Sequence, residues 1–246
     1  MASKVNILCT APLDESLIKK AAANGLNIDV LPLIDIKPIL TQDTEAAIMK
    51  LYMDPYNVVF TSANAVKFMP IPDFQPDWKI FCISNITKDA VIEKYGRNTV
   101  AETADSASML ANEIVNRGIE KILFFCGDSR RNELPQKLKS SNVAIREVII
   151  YETIPTPQKI SRKYEGILFF SPSAVKSYFS NNKTTKEHTL FAIGKTTANE
   201  IKKNCKNKII ISKTPDKKKL VHELIEFYGN PKTNKTKKAT KNKIKS

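Results

Sequence analysis

The sequence predicts an α/β protein built from two parallel-sheet domains, and three observations carry that reading. Short apolar runs alternate with amphipathic helical patterns along nearly the whole chain, the pattern of strand–helix–strand units. One phrase occurs twice: Val58-Val59-Phe60-Thr61-Ser62 ahead of Ala65-Val66, and Leu168-Phe169-Phe170-Ser171-Pro172-Ser173 ahead of Ala174-Val175. The units also recur as a block, because an offset of 110 pairs Phe81 with Phe191, Ile83 with Ile193, Thr87 with Thr197 and Leu110 with Leu220. Internal repetition at this scale constrains the architecture before any single element does.

Residues 4–10 read as a strand, and Leu13–Asn24 as a helix stopped by Gly25. Ile28–Pro38 reads as one extended run, longer than an ordinary strand of about five or six residues. Its prolines at 32 and 38 keep it from being a central strand throughout. Glu45–Met53 is a short helix. Three strand–helix units follow. Asn57–Thr61 leads to Ala63–Met69, Lys79–Ile83 to Ile86–Tyr95, and Thr99–Ala101 to Ser106–Arg117, the last two helices stopped by Gly96 and Gly118. Lys121–Cys126 then feeds a helix over Arg131–Ser140, and Val143–Pro155 is again long and extended. The triple unit returns as Gly166–Phe170 with Ala174–Phe179, Thr189–Ile193 with Thr197–Asn204, and Lys208–Ile211 with Lys217–Tyr228.

The blocks therefore run short, triple, short, triple, and each sheet needs one of each. They can pair sequentially, 1–117 with 121–228, or be exchanged, the N-terminal unit joining the C-terminal triple. The exchanged form needs two crossings, and the proline-marked runs 31–38 and 148–157 are placed to make them. We choose it: one discontinuous domain of residues 1–34 plus 156–228, and an inserted domain of 35–155.

Composition narrows the function. The 246 residues, 42% hydrophobic and 26% charged, are those of a globular protein with a sizeable core. No apolar run approaches the length of a membrane span. The chain enters its first strand without a leader, so a cytoplasmic location is expected. Cys9, Cys82 and Cys126 sit in apolar strand runs and Cys205 at a helix end, with no C-x-x-C spacing; His188 and His222 stand alone. No metal site follows from them. Phosphate-binding glycine motifs are absent among only 7 glycines. Half of the net charge of +14 comes from seven lysines within 229–246, a segment without acids or apolar period that is expected to be disordered. It offers at most non-specific attraction to nucleic acid.

The candidate site lies where strands end. Hydroxyls at a strand–helix junction, with the exposed N–H groups of the helix, favour an anion. Plain N-capping would explain either copy alone; the matched pair points to a shared site. Thr61, Ser62, Thr87, Ser171, Ser173, Thr196 and Thr197 are its donors, with Lys195 as a cation.

In order and spacing, Phe60-Thr61-Ser62, Tyr151-Glu152-Thr153, Phe170-Ser171-Pro172-Ser173 and above all Ala192-Ile193-Gly194-Lys195-Thr196-Thr197-Ala198 resemble the uroporphyrinogen-III synthase family over about residues 4–228. Two positions depart from its pattern. Ser84 stands where the family usually has Gly, and Asn64 where some members have a basic residue. The resemblance implies two α/β domains, one of them flavodoxin-like and discontinuous, joined by a two-stranded linker, with the site in the cleft between them. It implies hydroxymethylbilane as substrate, no cofactor and a cytoplasmic monomer. Loss of the terminal hydroxyl gives an azafulvene cation on ring A. Attack by ring D gives a spiro intermediate that reopens and recloses with that ring inverted.

On this reading Tyr151 is the catalytic proton donor, and Asn64, Ser84 and Gly194 join the hydroxyls and Lys195 in binding substrate. An undirected closure gives the uninverted isomer, so positioning outweighs acid–base strength. The competing expectation is a two-domain binding or sensing module for an anionic small molecule, since no diagnostic nucleophile is present.

Overall fold

The computed structural model describes residues 5–229. The segment expected to be disordered lies outside the described residues, except for Gly229, which ends the last helix. The chain forms two compact units, one of residues up to Asp35 and from Ile154 onward, the other of Ile36–Thr153.

The first unit opens with β1 (Val5–Cys9), α1 (Glu15–Ala23) and β2 (Leu26–Val30). β3 (Ile34–Pro38) carries the chain into the second unit, which continues through α2 (Gln42–Leu51), β4 (Tyr56–Phe60), α3 (Ala63–Phe68), β5 (Trp78–Ile83), α4 (Ile86–Tyr95), β6 (Val100–Ala104), α5 (Ala107–Asn116), β7 (Lys121–Gly127) and α6 (Glu133–Ser140). β8 (Ala144–Pro155) leads back to β9 (Gly166–Phe169), α7 (Pro172–Asn181), β10 (Thr189–Ala192), α8 (Lys195–Asn204), β11 (Lys208–Ile211) and α9 (Lys217–Gly229).

The sheet of the first unit has the order β11-β10-β9-β1-β2, parallel throughout. That of the second has the order β3-β8-β7-β4-β5-β6, parallel from β8 to β6. Next to it β3 runs antiparallel to β8: the Ile39 N–H donates to the Ile150 carbonyl and the Thr156 N–H to that of Leu33.

Each sheet is covered on both faces, which explains why inner strands such as β7, β9 and β10 bury consecutive residues rather than alternate ones. Ile7 and Cys9 face Leu17 of α1 and Leu220 and Leu224 of α9, while Leu8 and Phe169 face Val175 of α7 and Ile201 of α8. In the second unit Val58 and Phe60 pack with Ile48, Val66 and Val91, and the intervening Val59 with Leu110, Ile114 and Leu138. Each fully buried aliphatic or aromatic side chain is worth about 1.5–3 kcal/mol.

Several boundaries differ from the sequence expectation. The run over Ile28–Pro38 is two strands, broken at Leu31–Leu33 around Pro32, which cannot donate to a ladder. α2 starts earlier than Glu45 because Thr41 caps it, its Oγ1 accepting from the Thr44 N–H at 3.2 Å. α8 starts at Lys195, so Lys195-Thr196-Thr197 is its first turn.

What positions a site is the order in which strands are laid down. In the first sheet the chain goes outward from β1 to β2 and, in the other direction, from β9 through β11. In the second it goes from β7 to β8 and from β4 through β6. Each sheet therefore has one switch point, between β1 and β9 and between β7 and β4. Ligands of open α/β sheets bind outside the strand C-terminal ends at such points.

Candidate active site

At the first switch point Thr10 follows β1 and Ser171 follows β9. Thr10 is buried, and both its N–H (3.1 Å) and its Oγ1 (2.8 Å) donate to the Leu168 carbonyl. Ser171 caps α7, its Oγ accepting from the Ala174 N–H at 3.1 Å, with Pro172 opening the helix. That leaves the hydroxyl proton of Ser171 free for a ligand. Ser173, in the same turn, is half-buried.

One strand further, β10 ends at Ala192 and Gly194 caps α8. Its φ of −175° is ordinary extended backbone, and a Cβ added there would meet nothing within 4 Å. Neither conformation nor packing demands glycine here. Lys195 and Thr196 are exposed, and the N–H groups of this first turn have no partner within the helix. Thr197 is different: it is 1% exposed and, with Ala198 and Ile201, is one of the buried residues of α8. Its hydroxyl does not offer itself to a ligand.

The second switch point has another character. Ser62, after β4, caps α3 and accepts from the Asn64 N–H at 3.2 Å. It also accepts from the phenol of Tyr151 on β8, at 3.2 Å. α3 is only six residues long, too short for the aligned dipoles that attract an anion. The repeated phrase thus caps α7 in the first unit and makes a seat for Tyr151 in the second. The Tyr151 ring leans on Phe68, with centroids 6.0 Å apart. Burial pushes the phenol above its ordinary pKa, and the hydrogen bond to Ser62 offsets part of this. Tyr151 is therefore a protonated donor at neutral pH.

Thr61 and Asn64 flank this seat, both half-buried; Asn64 also lines a cavity of about 560 Å³ between α3 and α4. After β5 the Ser84 N–H donates to the Ala104 carbonyl at 2.8 Å. The residue with positive φ is not Ser84 but its neighbour Asn85, at φ 68° and ψ −131°, outside the left-handed helical region where Asn is commonest. Thr87 is 7% exposed, so it belongs with Thr197 in the core rather than with the donors.

Three residues near the candidate site residues escaped the sequence reading. Lys217, at the start of α9, donates to the Pro12 carbonyl at 2.9 Å, with its ammonium 5.6 Å from the centroid of the Phe170 ring. Gly127 ends β7 against the Tyr151 ring, and Asp128 follows it, its N–H donating to the Tyr151 carbonyl. Their signal was present in Phe125-Cys126-Gly127-Asp128-Ser129, another apolar strand running into polar residues. Among the described residues no His, Cys, Asp and Glu cluster could hold a metal ion, and no helix is long and apolar enough to cross a membrane.

The family model described as uroporphyrinogen-III synthase HemD matches residues 15–222. Among solved structures, the fold is similar to that of uroporphyrinogen-III synthetase from Helicobacter pylori. That similarity has a TM-score of 0.63 and 16% identity, over 91% of this chain and 99% of that one. A mutant uroporphyrinogen III synthase from the extremely thermophilic bacterium Thermus thermophilus is similar with a TM-score of 0.60 and 13% identity, over 91% and 97% of the respective chains. A search of curated protein sequences gives no match.

Proposed function

The chain belongs to the uroporphyrinogen-III synthase family, and from that premise we propose how its residues act on hydroxymethylbilane. The family match, running from α1 into α9, carries the assignment. The enzyme is a lyase that cyclises this linear tetrapyrrole to uroporphyrinogen III in haem biosynthesis.

The substrate is a polyanion, and the first unit supplies a matching set of donors: the Ser171 hydroxyl, the first-turn N–H groups of α8 with Thr196, and the cations Lys195 and Lys217. Gly194 lets a carboxylate approach these N–H groups closely, which is why glycine stands where the fold does not require it. The second unit supplies the acid, together with Thr61, Asn64 and Ser84 as further polar contacts. The Tyr151 O–H gives its proton to the departing hydroxyl, the C–O bond breaks, and water leaves with the azafulvene cation behind it. Ser62, which accepts the Tyr151 O–H until the phenol turns it to the substrate and still accepts from the Asn64 N–H, then turns its own O–H toward the phenolate. When ring D closes the macrocycle its carbon loses one proton, which returns to Tyr151, so acid and enzyme are restored.

We further propose that β3 and β8 are the two-stranded linker and that the halves arose by duplication. The sequence repeat equates β9, β10 and β11 with β4, β5 and β6, and β1 and β2 continue the first sheet beyond β9 as β7 and β8 continue the second beyond β4. We also propose that the protein acts as a cytoplasmic monomer, without cofactor or nucleic acid.

The test is the division of labour. Ser171→Ala with Thr196→Val should raise KM about tenfold or more, as each hydrogen bond to a charged group is worth about 1.5–3 kcal/mol. Tyr151→Phe should lower kcat and leave KM nearly unchanged. A Tyr151→Phe enzyme with full kcat would remove the phenol from the chemistry.

A further inference from the structure

Tyr151 does not point at Ser62 by strand alternation alone. Along β7 and β8 the parallel register advances evenly to Cys126 opposite Ile149, then jumps so that Gly127 stands opposite Tyr151. Ile150 is the extra residue, and it is fully buried. A bulge of this kind re-aims the side chain after it. The ring so aimed lies directly against Gly127: a Cβ there would fall 2.4 Å from the Tyr151 Cε2 and Cζ, with the phenol oxygen 2.8 Å away. Gly127 is not at positive φ, so the ring, and not the backbone, is what requires glycine.

Asp128 fastens the other side. Its N–H donates to the Tyr151 carbonyl at 3.0 Å, and its Oδ1 accepts from the Thr153 N–H at 3.0 Å and the Ser129 N–H at 2.6 Å. One exposed carboxylate thus bridges the end of β7 to β8 two residues beyond the tyrosine. An aspartate is otherwise an unfavourable neighbour for a polyanionic substrate, since like charges at close range repel.

We propose that Gly127 and Asp128 are positioning residues for the acid: the bulge aims the Tyr151 ring, Gly127 gives it a flat bed, and Asp128 locks the strand behind it. This rests on the reading of Tyr151 as the proton donor. Misplacing a reacting group by about 1 Å costs up to about a hundredfold in rate, which sets the effect to look for.

The experiment measures kcat and KM for isomer III formation by full-length Gly127→Ala, Asp128→Ala and Asp128→Asn, each alone and combined with Tyr151→Phe. Gly127→Ala and Asp128→Ala should lower kcat about tenfold to a hundredfold with little change in KM. Asp128→Asn keeps an acceptor oxygen for Thr153 and should recover most of the loss. On the Tyr151→Phe background neither alanine should lower kcat further.

In ¹³C-tyrosine spectra the Tyr151 ring signal, assigned by its absence in Tyr151→Phe, should move in Asp128→Ala and stay in place in Asp128→Asn. This readout stands even where Gly127→Ala fails to fold. If Tyr151→Phe is slow while both alanine variants keep kcat, or if their losses multiply on the Tyr151→Phe background, the positioning role is wrong. If Tyr151→Phe itself keeps full kcat, the premise fails and the inference with it, a distinguishable result.

Discussion

Replacing Gly194 by alanine separates what the fold needs from what the substrate needs. Its backbone is extended and open space surrounds the missing Cβ, so the methyl group meets no protein atom. Alanine restricts the unfolded chain, a gain of about 0.4–1 kcal/mol where the native conformation is compatible. As an N-cap it is worse than glycine by a few tenths to about 1 kcal/mol. The two contributions nearly cancel, leaving a change within about 0.5 kcal/mol, or a Tm shift within about 2 °C for a protein of this size. The activity should respond differently. On the proposed role of Gly194 the methyl group stands where a carboxylate would approach the N–H groups of α8, and losing one or two charge-assisted hydrogen bonds there costs about tenfold to more than a hundredfold in kcat/KM. The assays are a thermal melt and the initial rate of isomer III formation across substrate concentrations. An alanine variant with unchanged kcat/KM would show that no ligand group approaches α8 there. A large fall in Tm would show that the argument from packing is wrong.

Two further outcomes follow from burial. Thr197→Val should leave KM within about twofold, because a hydroxyl enclosed in the core makes no ligand contact, whereas Thr196→Val should raise it; a Thr197→Val variant with a strongly raised KM would return that hydroxyl to the site. The raised pKa of Tyr151 keeps the phenol protonated throughout the neutral range, so its ionisation should impose no fall in kcat until the pH passes the ordinary tyrosine value of about 10. A fall in kcat centred well below that pH, present in the native enzyme and absent in Tyr151→Phe, would contradict the direction of the shift.

The α/β class and the parallel strands were legible in the sequence because runs such as Val58-Val59-Phe60 are apolar at every position, as only strands covered on both faces can be. Periodicity left open which blocks share a sheet; the answer lies in β1 pairing with β9, a contact between residues more than a hundred positions apart. The burial of Thr87 and Thr197 could have been read beforehand. Each stands four residues before a buried aliphatic, Val91 and Ile201, and so shares its helix face. The hydroxyl chemistry of these threonines drew attention away from their spacing. The aim of Tyr151 was not legible at all, since an inserted Ile150 in β8 reverses which face each later residue takes and nothing local in Ile149-Ile150-Tyr151 marks it. Asp128 was missed for a related reason: its partner Thr153 is fixed by register, not by proximity in sequence.

The most direct measurement of what this enzyme does is the isomer it makes. Freshly prepared hydroxymethylbilane, incubated with the full-length protein and oxidised to porphyrins, is separated by chromatography into isomers III and I beside a protein-free control. Isomer III should predominate with enzyme and isomer I without it. Isomer I alone in both tubes, from protein shown to be folded, would contradict this activity.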